Sequence, residues 1–125
     1  MIAEVKYKYD IKEKSIEFSI DLLKYLDHAE KRRIILPIID QLVRSGTSVG
    51  ANIHEAQSSQ SIKEMMRYYR IALKSANESN YWFILLGSMI GEDEKSQNLK
   101  KELTNLRNIL GKTLIILKEK NILQK

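Results

Sequence analysis

A run of small and polar residues at positions 44–56 lies inside a segment that is otherwise helical in pattern. Its sequence is Arg-Ser-Gly-Thr-Ser-Val-Gly-Ala-Asn-Ile-His-Glu-Ala. Such a composition normally indicates a loop, yet apolar residues such as Val49 and Ile53 continue at helical intervals through it. Because Gly46 and Gly50 each cost a helix about 1 kcal/mol relative to alanine, we predict that this helix approaches a neighbour closely along its small residues.

Length and composition favour a single all-α domain over residues 1–125. The chain has one proline and five glycines in 125 residues, which indicates long regular elements. It has no cysteine, which excludes a disulfide framework and a thiolate zinc site. No apolar run approaches the roughly 20 residues of a membrane span, and the charged start has no apolar segment typical of a secretory signal. We therefore expect a cytoplasmic protein.

Apolar periodicity and helix breakers predict four helices, over residues 10–27, 34–58, 61–89 and 95–120. Ser61 and Glu64 have the spacing of a capping box, which satisfies free amides at a helix start. Gly91 can end the third helix. Short connections make sequence neighbours antiparallel, so the predicted architecture is an up-down-up-down antiparallel four-helix bundle.

The first helix carries more apolar residues than one face needs. One side is predicted to face the core and consists of Ile11, Phe18, Leu22 and Tyr25. Three more apolar residues are predicted to lie directly beside that side, namely Ile16, Ile20 and Leu23.

Two blocks of sequence carry a resemblance to a known family. The first, residues 41–56, has a glutamine, a run of small residues, and then Asn52-Ile53-His54-Glu55. The second, residues 71–82, runs from Ile-Ala-Leu-Lys-Ser to a glutamate followed by aromatics. The chain resembles the four helix bundle family named after proteins encoded in intervening sequences of bacterial 23S ribosomal RNA genes.

This resemblance has implications for assembly and partners. It implies a homopentamer, since members of the family form homopentamers. One branch of the family assists the reverse transcriptase of diversity-generating retroelements, so a nucleic-acid enzyme is an implied partner. For most members no biochemical activity is established, and the family name gives no mechanism.

The residues themselves give no support for catalysis or metal binding. A di-iron bundle needs a Glu-x-x-His pair on each of two helices, but Tyr25 and Ala51 stand three residues before His28 and His54. Neither histidine has another histidine or a cysteine at ligand spacing. The chain also lacks a phosphate-binding glycine loop. We predict a protein with no enzymatic activity, no cofactor and no metal.

A polar strip lies beside the apolar stripe of the second helix, and a second polar cluster lies on the third. The principal members of the strip are Ser48, Asn52 and Glu55, and the cluster on the third helix includes Glu78. Buried polar groups must find partners, so one interpretation is an interhelical hydrogen-bond network that fixes register or subunit packing. The alternative is a ligand-binding groove. We favour the network.

Basic residues are concentrated on the last two helices. Residues 95–125 contain eight basic residues against two acidic ones, a net +6 within a chain of net +5. On the third helix four cations fall within about 60° on one face. The candidate nucleic-acid-binding residues are Lys63, Arg67, Arg70, Lys74, Lys100, Lys101 and Arg107. Such faces can bind an RNA or DNA backbone, although a basic face can also serve solubility alone.

The third helix is apolar on nearly all sides between residues 81 and 90. A helix of this kind in a small protein indicates that one side meets another subunit. The candidate interface residues are Tyr81, Trp82 and Leu85. The alternative function is therefore a protein–protein scaffold or hub with no nucleic-acid role.

Overall fold

Four long helices make up the chain. The computed structural model describes residues 2–123, with side chains described from residue 11 onward. The helices are α1 (Ile2–Asp27), α2 (Leu36–Gln57), α3 (Ile62–Ile90) and α4 (Glu94–Leu123). The described residues contain no strand. The prediction of an all-α four-helix fold is confirmed.

The helices pack in sequence order around a square. Each helix packs on the next one in the chain, and α4 closes the bundle against α1. Within the described part of the chain, α1 and α3 do not touch, so they occupy opposite corners. Along α2, Gly46 faces Leu22 whereas the later Gly50 faces Ser15 and Ser19, which shows that α1 and α2 are antiparallel.

Local chemistry sets most helix ends where the sequence predicts them. Ser61 has extended backbone and accepts a hydrogen bond from the Glu64 amide at 3.1 Å, as the capping box requires. Gly91 ends α3 with a φ of 85°, a conformation that favours glycine. Asp93 and Ser96 exchange hydrogen bonds between their side chains and amides at the start of α4.

Two helix ends differ from the prediction by three residues or more. α1 begins at Ile2 instead of residue 10, because no glycine or proline interrupts residues 2–10. α4 continues to Leu123, three residues beyond the predicted end.

The core is a column of aliphatic side chains with three large aromatic residues, Phe18, Tyr69 and Phe83. Phe18 and Leu22 of α1 are fully buried, as predicted, and so is Ile11. Burial raises the pKa of the Tyr69 phenol on α3, an effect that its neighbour Gln57 partly offsets. The core residues of α4 repeat at three- and four-residue intervals and are Leu99, Leu103, Leu106, Leu110 and Leu117.

The second apolar set of α1 does not join this core. Ile16, Ile20 and Leu23 are all exposed, so the expectation that they lie beside the core-facing side is wrong. At about 100° per residue they fall on the side of α1 opposite Phe18 and Leu22. α1 contacts only α2 and α4, and neither helix covers that side. No helix among the described residues is long and apolar enough to cross a membrane.

The predicted close approach is made by two glycines of α2. A Cβ atom on Gly46 would overlap Cδ2 of Leu22. A Cβ on Gly50 would lie 3.3 Å from Oγ of Ser19 and 3.4 Å from the carbonyl oxygen of Ser15. The glycines therefore allow the α1 backbone to reach α2, and the helix propensity that they forgo is offset by this packing.

We expect Gly46→Ala to lower the free energy of unfolding by about 1–2 kcal/mol, because overpacking at Leu22 outweighs the gain in helix propensity. Gly111→Ala is the matched control, since nothing lies within 4 Å of a Cβ at that position. It should raise stability by about 0.5–1 kcal/mol. Urea denaturation followed by circular dichroism measures both. A Gly46→Ala protein as stable as Gly111→Ala would contradict the close-packing account.

Candidate functional site

The basic stripe of α3, formed by Lys63, Arg67, Arg70 and Lys74, lies on the outer face of the bundle. All four side chains are exposed. The Arg67 guanidinium stacks on the Tyr68 ring, 4.4 Å from its centroid. Within residues 11–123 the ion pairs join other residues, so all four cations of the basic stripe remain available to an anion.

The α4 candidates do not extend this stripe. Lys100 is partly buried and pairs with Glu92 in the α3–α4 turn, Lys101 is exposed, and Arg107 is partly buried. Because α3 and α4 are antiparallel and joined at residues 91–93, Lys100 and Lys101 lie near the end of the bundle opposite Lys63. The seven candidates therefore form separate groups.

A cation that the sequence analysis did not select lies closer to the basic stripe. Lys118 follows Lys100 by 18 residues, or about five helical turns, and so occupies the same side of α4. Counting back from the turn places it level with the first half of α3. Lys118 is exposed. The antiparallel register, which the sequence analysis had already predicted, was the signal that could have identified it.

Hydroxyl groups form hydrogen bonds between α2 and α3. Ser45 accepts a hydrogen bond from the fully buried Ser79 hydroxyl at 2.9 Å. One turn further along, the hydroxyls of Ser48 and Ser75 are 2.9 Å apart. The Asn52 amide donates to both the carbonyl and the hydroxyl of Ser48, at 2.8 and 3.0 Å. The Ser45–Ser79 and Ser48–Ser75 pairs tie the two helices together in one register, and Asn52 supports Ser48 from within α2.

Two predicted members lie outside this network. Glu55 is exposed near the end of α2. Glu78 is exposed on α3, where its carboxylate accepts a hydrogen bond from the Trp82 indole at 3.0 Å. A carboxylate loses its hydration at high cost unless it is paired, so both side chains remain in water while the small neutral groups are buried.

The three candidate interface residues occupy different depths on α3. Tyr81 is exposed, whereas Trp82 and Leu85 are partly buried. The Tyr81 and Trp82 rings meet edge to face, with centroids 5.0 Å apart. Trp82 also packs against the core. The exposed apolar surface here thus consists of Tyr81 and Ile84, with Met89 two turns further along the helix.

An open groove of about 1080 Å³ lies at the end of the bundle where α1 meets the α3–α4 turn. Tyr25, Ile90 and Leu99 contribute its apolar lining, and His28 lies at its edge. Burial raises the pKa of Tyr25, and the nearby Ser96 hydroxyl opposes the shift. No set of three potential metal ligands is assembled among the residues that the structure describes.

Glu102 of α4 stands out in this groove. Its Oε2 atom is buried and has no hydrogen-bond partner within the described chain. Burial raises the pKa of the carboxyl group, and the charges of Asp21 and Glu17 on α1 raise it further. The α1–α4 contact therefore contains three acids that repel one another when all are ionised.

The comparisons with known proteins agree with this architecture. The family model described as 23S rRNA-intervening sequence protein matches residues 7–112. A solved structure from Bacteroides thetaiotaomicron, a protein of unknown function from the S23 ribosomal protein family, is 29% identical. The match covers 83% of this chain and 97% of that one, with a TM-score of 0.73. None of the curated proteins is significantly similar.

Asn52→Ala should destabilise the protein by about 1 kcal/mol, because the Ser48 groups lose a partner at the α2–α3 contact. Glu55→Ala, one turn away and exposed, is the matched control and should change stability by less than about 0.5 kcal/mol. Thermal melting of the two variants decides between a structural network and a ligand groove. Equal melting temperatures would count against the structural role of Asn52.

Glu102→Gln should stabilise the protein at neutral pH, by no more than about 1 kcal/mol since the side chain is partly exposed. The raised pKa means that the folded protein binds this proton more tightly than the unfolded chain. Stability from this group is therefore greatest below the ordinary glutamate pKa and is lost as the pH rises through the folded pKa. Between pH 4 and 8 the urea midpoint of unfolding should fall less steeply in the variant than in the wild type. Identical pH profiles would disprove the raised pKa of Glu102.

Proposed function

The chain belongs to the family of 23S rRNA-intervening sequence proteins, and we propose that it is a non-enzymatic homo-oligomer that binds the phosphate backbone of a nucleic acid. The basic stripe of α3 is the binding surface in this proposal. The protein acts in the cytoplasm, in keeping with its cysteine-free composition. Its partner is RNA or DNA, alone or together with a nucleic-acid enzyme such as a reverse transcriptase.

The observation that carries the proposal is that the four cations of the basic stripe are aligned, exposed and available. From Lys63 to Lys74 they extend over about 16 Å of helix. Lys118 of α4 adds a fifth exposed charge at the same height. Lysine and arginine side chains arranged along one face release condensed counterions when they meet phosphates, which provides affinity without sequence specificity.

Recognition in this proposal depends on shape and charge. Arg67 stacks on Tyr68, which holds the guanidinium group flat against the helix surface where a phosphate can reach it. The sequence contains no zinc finger and no paired aromatic motif of the kind that reads bases. Affinity should therefore vary little among sequences of equal length and structure.

Assembly multiplies the basic stripe. Exposed apolar side chains on α1 and α3 support self-association, because such surface is more stable when a second subunit covers it. The resemblance to homopentameric relatives favours a ring of five. Each added copy brings another set of four cations, and linked binding sites increase the overall affinity.

A protein scaffold without a nucleic-acid role is the second candidate function. It is favoured by the same exposed apolar residues on α3, Tyr81 and Ile84, which would then contact a different protein. Salt separates the two functions, since binding to phosphates weakens steeply with salt and apolar association does not.

We expect the purified protein to bind structured RNA or duplex DNA with an affinity that falls as salt rises. Four cations contacting duplex DNA predict a slope of about −3.6 in a plot of log affinity against log salt concentration. Fluorescence anisotropy with labelled RNA and DNA of equal length measures this slope. Charge reversal of all four cations of the basic stripe to glutamate should abolish binding.

The matched control reverses four exposed cations elsewhere, Lys24, Arg33, Arg44 and Lys95. It changes the net charge equally but leaves the basic stripe intact, and it should bind nearly as well as the wild type. Sedimentation of each protein shows whether assembly is preserved. Equal loss of binding in both variants would indicate an effect of net charge and refute the basic stripe as a binding site. If the wild-type protein does not bind even at low salt, the scaffold function remains.

A further inference from the structure

The groove at the end of the bundle, called here the end groove, has a charge opposite to that of the whole chain. It lies between α1, α4 and the turn that joins α3 to α4. Two lysines line it, Lys24 and Lys95, within a chain of net charge +5. A larger number of acidic residues line it, namely Asp21, Glu30, Glu92, Asp93, Glu94 and Glu102. A concave site dominated by one sign of charge concentrates ligands of the opposite sign.

Most acids of the end groove have no cationic partner within residues 11–123. Only Glu30 and Glu92 form ion pairs there, with Arg32 and Lys100. The others divide between the two ends of the groove. The inner end, where α1 packs on α4, contains Asp21 and Glu102, and the outer end, at the start of α4, contains Asp93 and Glu94.

The inner end contains a carboxylate oxygen that lacks a partner. Oε2 of Glu102 is buried and accepts no hydrogen bond from the described chain. Burial raises the pKa of this carboxyl group, and the negative charges of Asp21 and Glu17 raise it further. An ionised carboxylate that is shielded from water among like charges is destabilised, and a cation beside it removes that penalty. The inner end therefore favours a positively charged group.

The wall between the two ends is apolar. The half-buried Tyr25 of α1 lies there, together with Leu99 of α4. Glu94 and Glu102 are eight residues apart, or about 12 Å along α4. A single metal ion is too compact to contact both ends, and no set of three potential metal ligands is assembled in the part of the chain that the structure describes. A ligand that fits carries separated positive charges on an aliphatic chain.

We propose that the end groove binds a linear aliphatic polyamine. One ammonium group lies at the inner end beside Glu102 and Asp21, and a second lies at the outer end beside Glu94. The methylene groups between them lie along Tyr25 and Leu99. Ligand sites commonly combine an apolar concave wall with a few polar groups that fix the orientation of the ligand, and here the spacing of the two acidic ends selects for chain length.

The end groove is separate from the basic stripe. The groove is built from α1, α4 and the end of α3 at Ile90, whereas the basic stripe occupies the first half of α3. Binding of a polyamine therefore does not depend on nucleic-acid binding, and each can fail without the other.

Calorimetric titration of the full chain with spermidine and putrescine, in the absence of nucleic acid, tests the proposal. Spermidine should bind about tenfold more tightly than putrescine, because the shorter diamine gains a charge-assisted contact at one end only. The magnesium ion is the matched control ligand, since it carries the same charge as putrescine but has no aliphatic chain. If magnesium displaces spermidine as effectively as putrescine does, the groove attracts counterions without selecting polyamines, and the proposal is wrong.

Glu102→Gln removes the charge at the inner end and should weaken spermidine binding about tenfold or more. Since this variant is expected to be at least as stable as the wild type, unfolding does not account for a loss of binding. The matched control is Glu119→Gln, which makes the same change at an exposed position of α4 outside the groove and should bind like the wild type. Equal weakening in the two variants would show an effect of net charge and refute the site.

Glu94→Gln tests the outer end. It should weaken the binding of spermidine more than that of putrescine, because only the longer ligand reaches both ends. Equal affinities of spermidine for this variant and the wild type would overturn the two-ended arrangement. Absence of spermidine binding at millimolar concentration would overturn the proposal as a whole. If a lysine-rich peptide binds instead and Glu102→Gln abolishes its binding, the occupant is a basic protein segment and the assignment to a polyamine is wrong.

Discussion

The close approach of α2 to its two neighbours determines the rest of the bundle. On one side Gly46 admits the Leu22 side chain, and on the other Ser45 and Ser48 bond to the hydroxyls of Ser79 and Ser75. Glycine and serine are the side chains small enough to permit both contacts. The close approach fixes the height of α1 and α3 relative to α2.

Local features of the structure could be predicted from sequence, whereas features that depend on packing could not. The Ser61 cap and the Gly91 stop depend on residues within one turn, so the sequence locates them correctly. The exposure of Ile20 was itself predictable, because at about 100° per residue it lies about 160° from Phe18. The pairing of Ser45 with Ser79 was not, because it depends on how α2 and α3 pack. The exposure of Glu55 likewise depends on hydration of a charge.

The same distinction applies to the candidate surfaces. The four cations of α3 share one face by helical geometry alone, and the structure places them together on the outside. Lys100 and Lys118 occupy the same side of α4 but lie about 27 Å apart along it. Which of them lies near Lys63 depends on the antiparallel register, and the pairing of Lys100 with Glu92 was not apparent from helical spacing.

The contact between Gly46 and Leu22 has a consequence for how such sequences vary in nature. The two positions share one volume, so a methyl group gained at residue 46 requires a smaller side chain at residue 22. A substitution at either position alone weakens the bundle, while the compensated pair preserves it. Among relatives these two positions are therefore expected to co-vary in size. Residues 45 and 79, which form a buried hydroxyl pair, are expected to co-vary in polarity.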